Sequence, residues 1–206
     1  MTSRETSRPS SVAAMLRAPR ASVLADPVAG TWVANIALVV GYAAFVGLAA
    51  QISIRLPFTP VPITGQTFAV LAGALALGWR RSAAGMILYL VAGVAGLPWF
   101  AQAQGGLSAT MLPSFGYIVG YIVAGGAVGW LAERRFGRSV VSTVAALVVG
   151  SAIIYAFGVT WLALAIHVGP WTALEEGMFP FLAGDALKAA LAAGVLPLAW
   201  IATRRR

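Results

Sequence analysis

The chain alternates long apolar blocks with short polar or proline- and glycine-rich breaks. Six blocks can be drawn, at about residues 32–50, 64–77, 82–94, 115–132, 140–166 and 179–203. They are continuous apolar runs, not the short alternating segments of barrel strands, so each reads as a helix. The second and third are short. Fourteen residues rising about 1.5 Å each cover about 21 Å, against a hydrocarbon core of about 30 Å. Such a block either extends into its neighbours or sits deep in a bundle with a loop folded over it.

Composition turns this pattern into a membrane assignment. Of 206 residues, 60% are hydrophobic and 10% charged, with a mean hydropathy of +0.86. An ordinary soluble domain carries roughly 25% charge, and a disordered chain needs still more polarity. The expected fold class is therefore an all-α integral membrane protein of six transmembrane helices. The chain contains no cysteine. That excludes disulfides, thiolate metal sites and a cysteine nucleophile.

The net charge of +8 would suggest nucleic acid in a soluble protein, but its distribution gives a different reading. Arg4, Arg8, Arg17 and Arg20 precede the first block, and Arg80 and Arg81 separate the second and third. Arg134, Arg135 and Arg138 separate the fourth and fifth, and Arg204, Arg205 and Arg206 follow the sixth. With six spans all of these fall on one side, which the positive-inside rule makes cytoplasmic, with both termini there. No nucleic-acid partner is expected. Residues 1–28 read as a flexible cytoplasmic tail without the apolar core and cleavage site of a signal peptide. Residues 29–206 read as the six-helix domain.

The outer loops are unlike the inner ones. The first, residues 51–64, carries Pro57, Pro60 and Pro62, which forbid a regular helix. The second, about residues 95–114, is also apolar and holds Pro98, Trp99, Gly105, Gly106 and Pro113. The third holds Pro170, Trp171, Glu175 and Glu176 and reads as a short interfacial turn. Irregular backbone at membrane depth is tolerated only where protein or a cavity satisfies it. Two apolar loops on one face therefore look like the lid of a pocket opening outward.

Asp185 and Lys188 sit at i and i+3 inside the sixth span. Each must face a partner or a cavity. They read either as a mutual ion pair that holds the bundle or as a polar ligand site below the outer loops. Arg55, the lone basic residue of the outer loops, either snorkels to headgroups or holds a ligand carboxylate. Gln51, Thr59, Thr64, Gln66 and Thr67 add neutral hydrogen-bonding groups nearby, and Tyr89 can bond a ligand or a neighbouring helix. His167 reads as an interfacial histidine without a second metal ligand. Trp99, Trp161 and Trp171 read as an interface belt or as pocket lining. In the first span, Ala37 with Gly41 and Ala43 with Gly47 form small pairs at spacing four. They either pack this helix in the bundle or present a smooth face to another membrane protein. No phosphate-loop motif, serine–histidine elbow or His-Glu-x-x-His occurs. An enzyme is not expected, nor a resident cofactor or metal.

The stretch QISIRLPFTPVPITGQTFAVLAGALALG at residues 51–78 resembles the signature of the BioY family, biotin-binding S-components of energy-coupling factor (ECF) transporters. Further matches are the YLVAGVAGLP run at 89–98, Gly105-Gly106, Gly116-Tyr117 with Gly120, and PFLAGDALK at 180–188. The resemblance covers about residues 43–193. Position 55 is arginine where many relatives are expected to have proline, and Ser114 and Phe115 replace a more usual small-residue turn. The resemblance implies a six-helix S-component in a bacterial cytoplasmic membrane that captures biotin from outside. It implies a transmembrane partner and two ABC-type ATPase subunits, so that ATP acts only through partners. It places Ala43 and Gly47 on the motif that faces the transmembrane subunit, and makes Asp185 and Lys188 biotin contacts. The chemistry suits these residues. Asp185 can accept the ureido N–H bonds, Lys188 can donate to the ureido carbonyl, and Arg55 can pair with the valerate carboxylate. The sequence leaves the reverse, Lys188 on the carboxylate, open as well. Arg55, Gln66, Tyr89 and Thr59 complete the expected substrate set. A second reading is a self-contained carrier that works without an ATPase module, with Asp185 titrating. Inverted repeats would favour it, and none is visible.

Overall fold

The computed structural model describes residues 23–204. Arg4, Arg8, Arg17, Arg20, Arg205 and Arg206, and most of the tail read at residues 1–28, lie outside the described residues. The element order is α1 (Trp32–Gln51), β1 (Ser53–Ile54), β2 (Ile63–Thr64), α2 (Gln66–Leu77), α3 (Trp79–Val94), α4 (Phe115–Glu133), α5 (Val140–Ala165), α6 (Pro170–Gly177) and α7 (Phe179–Arg204). Two 3₁₀ turns, Ala101–Ala103 and Leu107–Met111, interrupt the loop between α3 and α4. The six apolar blocks therefore become α1 to α5 and α7, and the third outer loop contains the extra helix α6.

Local signals set the helix ends. Thr31 caps α1, its Oγ1 accepting from the Ala34 N–H at 3.1 Å. Ser139 and Ser142 form a reciprocal capping box at the start of α5. Pro170 opens α6, where a missing N–H costs nothing. Gly78 separates α2 from α3 with φ of 82°, a left-handed value that disfavours any side chain.

Four helices are long and apolar enough to cross a membrane: α1, α4, α5 and α7. With 12 residues α2 is shorter, and α3 has 16. The core is apolar and continuous, with Val46, Val70, Leu75, Met86, Tyr89, Val128, Ile154 and Leu162 at 1% exposure or less. The outside is apolar too. Leu48, Val141 and Leu198 are exposed, as expected of side chains facing lipid rather than water.

Helices approach through small residues. A Cβ on Gly158 of α5 would lie 2.3 Å from the Tyr117 ring of α4, and one on Gly116 would lie 2.1 Å from Trp161. On the other side of the bundle, the Tyr42 ring of α1 fills the space left by Gly73 of α2 and Gly85 of α3, and its hydroxyl donates to the Val70 carbonyl at 2.6 Å. With no hydrophobic drive between helices in lipid, this close van der Waals contact is a main source of cohesion.

One boundary differs from the sequence reading. Residues 23–28, assigned there to the tail, are docked on the bundle. Val23 is 1% exposed, the Ala25 N–H donates to Ala76 at 3.0 Å, and Asp26 pairs with Arg81 at 3.1 Å. Six residues, Val-Leu-Ala-Asp-Pro-Val, are too short to show a hydrophobic period, so only their contacts reveal the docking.

Gly158→Ala is expected to destabilise the chain by about 1–3 kcal/mol through overpacking against Tyr117. Gly194→Ala on α7, where nothing lies within 4 Å, is expected to be neutral or stabilising. Thermal unfolding of the two purified variants in detergent checks the contrast.

Candidate functional site

The first loop is a short hairpin. Ser53 pairs with Thr64 and Ile54 with Ile63 in an antiparallel register, and the three prolines occupy its tip. Gln51, at the end of α1, clamps this hairpin to the second loop. Its Nε2 donates to the Gly47, Trp99 and Phe100 carbonyls at 3.0–3.2 Å, and its Oε1 accepts from the Ala103 N–H at 3.1 Å. Phe100 is driven inward, 1% exposed, with its ring over Gly93 and 5.2 Å from the Tyr89 ring. The two apolar loops are thus tied together by the Gln51 side chain and by Phe100 packed inward, while residues such as Phe58 and Leu107 stay exposed.

Below these loops lies a cavity of about 50 Å³. Its polar wall is Thr64 from β2, Gln66 and Thr67 from the start of α2, Gln104 and Ser114 from the second loop, Tyr117 and Tyr121 from α4, Tyr155 from α5, and Asp185 and Lys188 from α7. Phe100, Ile118 and Phe181 supply apolar surface. Four of these residues form one network. Lys188 Nζ donates to Asp185 Oδ1 at 3.1 Å and to Thr67 Oγ1 at 2.7 Å. The Thr67 hydroxyl donates to Asp185 Oδ1 at 3.2 Å, and the Tyr155 hydroxyl donates to Asp185 Oδ2. Both readings of the charged pair therefore meet in one place: the ions neutralise each other and also face the cavity.

The remaining expected site residues are placed differently. Gln66 lines the cavity, oriented by Thr64 at 3.0 Å and by Tyr89, whose hydroxyl accepts from Gln66 Nε2 at 2.9 Å. Tyr89 itself is fully buried behind that wall and donates to the Trp99 carbonyl at 3.1 Å, so it orients Gln66 and does not line the cavity. Arg55 and Thr59 lie in a separate outer cleft of about 320 Å³, which shares Pro62, Ala101, Gln104, Leu112 and Ser114 with the inner cavity. Arg55 donates to the Gln102 side chain. The Thr59 hydroxyl donates to the Glu176 carbonyl at 2.6 Å, tying the hairpin to α6.

Ala43 and Gly47 do not form an exposed face. Ala43 is fully buried and Gly47 packs on the Trp99 ring, where a Cβ would sit 3.1 Å away. The other small pair, Ala37 and Gly41, is exposed, and a Cβ on Gly41 would meet nothing within 4 Å. The two pairs have the same spacing but lie on different sides of α1, one toward the bundle and one away from it. Among the tryptophans, Trp99 and Trp161 donate to the Tyr89 and Leu112 carbonyls at 3.0 Å, while Trp171 is 65% exposed. His167 is exposed in the turn before α6.

Tyr117, Tyr121 and Tyr155 were not singled out by sequence reasoning. A signal existed: a tyrosine inside an apolar span carries a hydroxyl that needs a partner. Tyr117 and Tyr121, at i and i+4, share one face of α4, and Tyr117 donates to the Gly177 carbonyl at 2.6 Å. A further groove of about 380 Å³, almost wholly apolar, lies between α2, α5 and α7 behind the network. Thr67, Tyr155, Asp185 and Lys188 line both spaces and so partition them.

Comparison with known proteins bears on this site. A biotin transporter BioY from Rhizobium etli is 38% identical over 68% of this chain and 78% of its own length. A biotin transporter BioY from Thermotoga maritima is 36% identical over 74% of this chain and 87% of its own. Among solved structures, the crystal structure of the S-component for biotin from an ECF-type ABC transporter superposes with a TM-score of 0.73 at 22% identity, covering 84% of this chain and 92% of that one. The fold is shared with that S-component. The family model for the BioY family matches residues 17–205, nearly the whole chain, and this protein belongs to the BioY family.

Proposed function

We propose that this chain captures biotin and serves as the substrate-specific subunit of an ECF-type uptake system in a bacterial cytoplasmic membrane. The observation that carries the reading is the Thr67–Tyr155–Asp185–Lys188 network, which a member of the BioY family presents to a cavity beneath the outer loops. The chain spans the membrane six times with both termini in the cytoplasm, in keeping with the arginines of one end. It is not an enzyme. It binds its ligand without a cofactor, and ATP acts through a transmembrane subunit and two ABC-type ATPases.

In this reading the ureido ring of biotin sits against the network. Asp185 accepts its N–H groups and Lys188 donates to its carbonyl, with Gln66 and the tyrosine hydroxyls alongside. The carboxylate points outward to Arg55, because the cavity continues toward the outer cleft whereas the groove behind the network is apolar and would strand an anion. Thr59 and Tyr89 act through others, on α6 and on Gln66. The cavity of about 50 Å³ is well below the roughly 300 Å³ and more of a small-molecule site. Biotin therefore enters when the two loops held by Gln51 part and the cavity widens. The transmembrane subunit docks on the face of α1 that carries Ala37 and Gly41, where small residues permit close backbone approach.

Purified protein is expected to bind biotin without partner, ATP or Mg²⁺; binding of thiamine or riboflavin in its place, measured by isothermal titration, would overturn the substrate. Asp185→Asn and Lys188→Met are each expected to weaken biotin at least about tenfold, equivalent to ~1.4 kcal/mol. Variants that melt early yet bind biotin normally when folded would mean the pair is structural only. Bulky substitution of Gly41 should weaken co-purification with the coupling module while sparing biotin affinity. The same change at Ala43 should lower the melting temperature of the chain itself, since that site is fully buried.

A further inference from the structure

The end of the bundle opposite the cavity carries an arrangement that ligand capture does not use. It is formed where α2 meets α3, where α4 meets α5, and at the close of α7. The Trp79 N–H donates to Glu133 Oε1 at 3.2 Å, which joins the start of α3 to the end of α4. Arg138, just before α5, lies over the Trp200 ring of α7 at 4.1 Å. Arg80, Arg81, Arg134, Arg135 and Arg138 gather here against two carboxylates among the described residues, Asp26 and Glu133.

The adjacent arginines Arg80 and Arg81 are used differently. Arg81 is fully engaged: it donates to Asn35 at 2.7 Å, and to Asp26 and the Leu77 carbonyl at 3.1 Å. Arg80 instead lies over the Trp79 ring at 5.3 Å, and Arg134 lies over the Trp130 ring at 3.6 Å. Both indoles are close to half exposed, at 42% and 46%. Among the described residues, neither the Arg80 nor the Arg134 guanidinium donates a hydrogen bond or forms an ion pair. A guanidinium stacked on an indole keeps its N–H edge available and holds it in a fixed plane. That edge matches the two oxygens of a phosphodiester.

We infer that Arg80 and Arg134, each held on its exposed tryptophan, form a binding site for the phosphate of an anionic phospholipid. A lipid source is favoured over a soluble one by the indoles. An exposed tryptophan next to apolar, outward-facing helix surface belongs at headgroup level, where a lipid phosphate also lies. The inference does not rest on biotin as the substrate.

The test uses the purified full chain, titrated with phosphatidylglycerol or phosphatidylcholine in detergent and read by native mass spectrometry of retained lipid. Phosphatidylglycerol should be retained in preference to phosphatidylcholine. Arg80→Gln and Arg134→Gln should each lower that retention about fivefold, while circular dichroism melting stays unchanged. Arg134→Lys, which keeps the charge and loses the planar stack, should fall between wild type and Arg134→Gln. Equal retention of the two lipids overturns the site, as does full retention by both glutamine variants. Glycerol phosphate displacing phosphatidylglycerol at equal concentration would mean a soluble phosphate ligand and overturn the lipid source. Loss of co-purification with the ABC-type coupling module in the glutamine variants, with lipid retention intact, would make this face a protein-docking surface instead.

Discussion

Every polar group at membrane depth must find its partner inside the protein, and the arrangement of this chain follows from that requirement. Irregular backbone cannot face lipid, so the two loops over the cavity must be closed by side chains. Gln51 does most of this, bonding three carbonyls and one N–H from a single amide. The tyrosines work similarly. Tyr42 satisfies Val70, Tyr89 satisfies Trp99, and Tyr117 satisfies Gly177. Asp185 and Lys188 are the extreme case, since a lone charge there costs several kcal/mol. They are tolerated because Thr67 and Tyr155 join them in a network drawn from three helices.

The helices were legible because lipid-facing segments need unbroken apolar runs, and the breaks between runs carry glycine, proline or arginine. The six blocks match the observed helices to within a few residues, and the charged pair in the last span stands out in any reading. What the sequence did not disclose depends on rotation about helix axes. Ala37–Gly41 and Ala43–Gly47 have the same spacing, yet one pair faces out and the other is packed against Trp99 and the core. On such a uniformly apolar helix there is no hydrophobic stripe to orient it. Tyr155 was overlooked for the same reason, and α6 because an eight-residue helix in a loop leaves little periodic signal. The docking of residues 23–28 rests on burial of Val23 and Ala25, the Asp26–Arg81 pair and a backbone contact, in a segment too short to show a pattern.

The lid and the cavity are coupled through shared residues. Gln66 faces the cavity and is oriented by Tyr89, Tyr89 donates to Trp99, and the Trp99 carbonyl also accepts from Gln51. A path of hydrogen bonds thus runs from the cavity wall to the clamp that holds the loops shut. Gln66 and Gln51 thus meet through the same two aromatic residues, Tyr89 and Trp99.

The charged groups of the network largely satisfy one another, and this bears on what a ligand must offer. Both oxygens of Asp185 already accept bonds, and Lys188 already donates to Asp185 and Thr67. A ligand gains only if it offers donors and acceptors that replace or supplement these in matched positions. One that inserts apolar surface, or donors where acceptors are needed, separates the ions and leaves a partly buried charge unpaired. That penalty is larger than the gain from a correct bond, because an unsatisfied buried group loses its full solvation while a formed bond merely exchanges one partner for another.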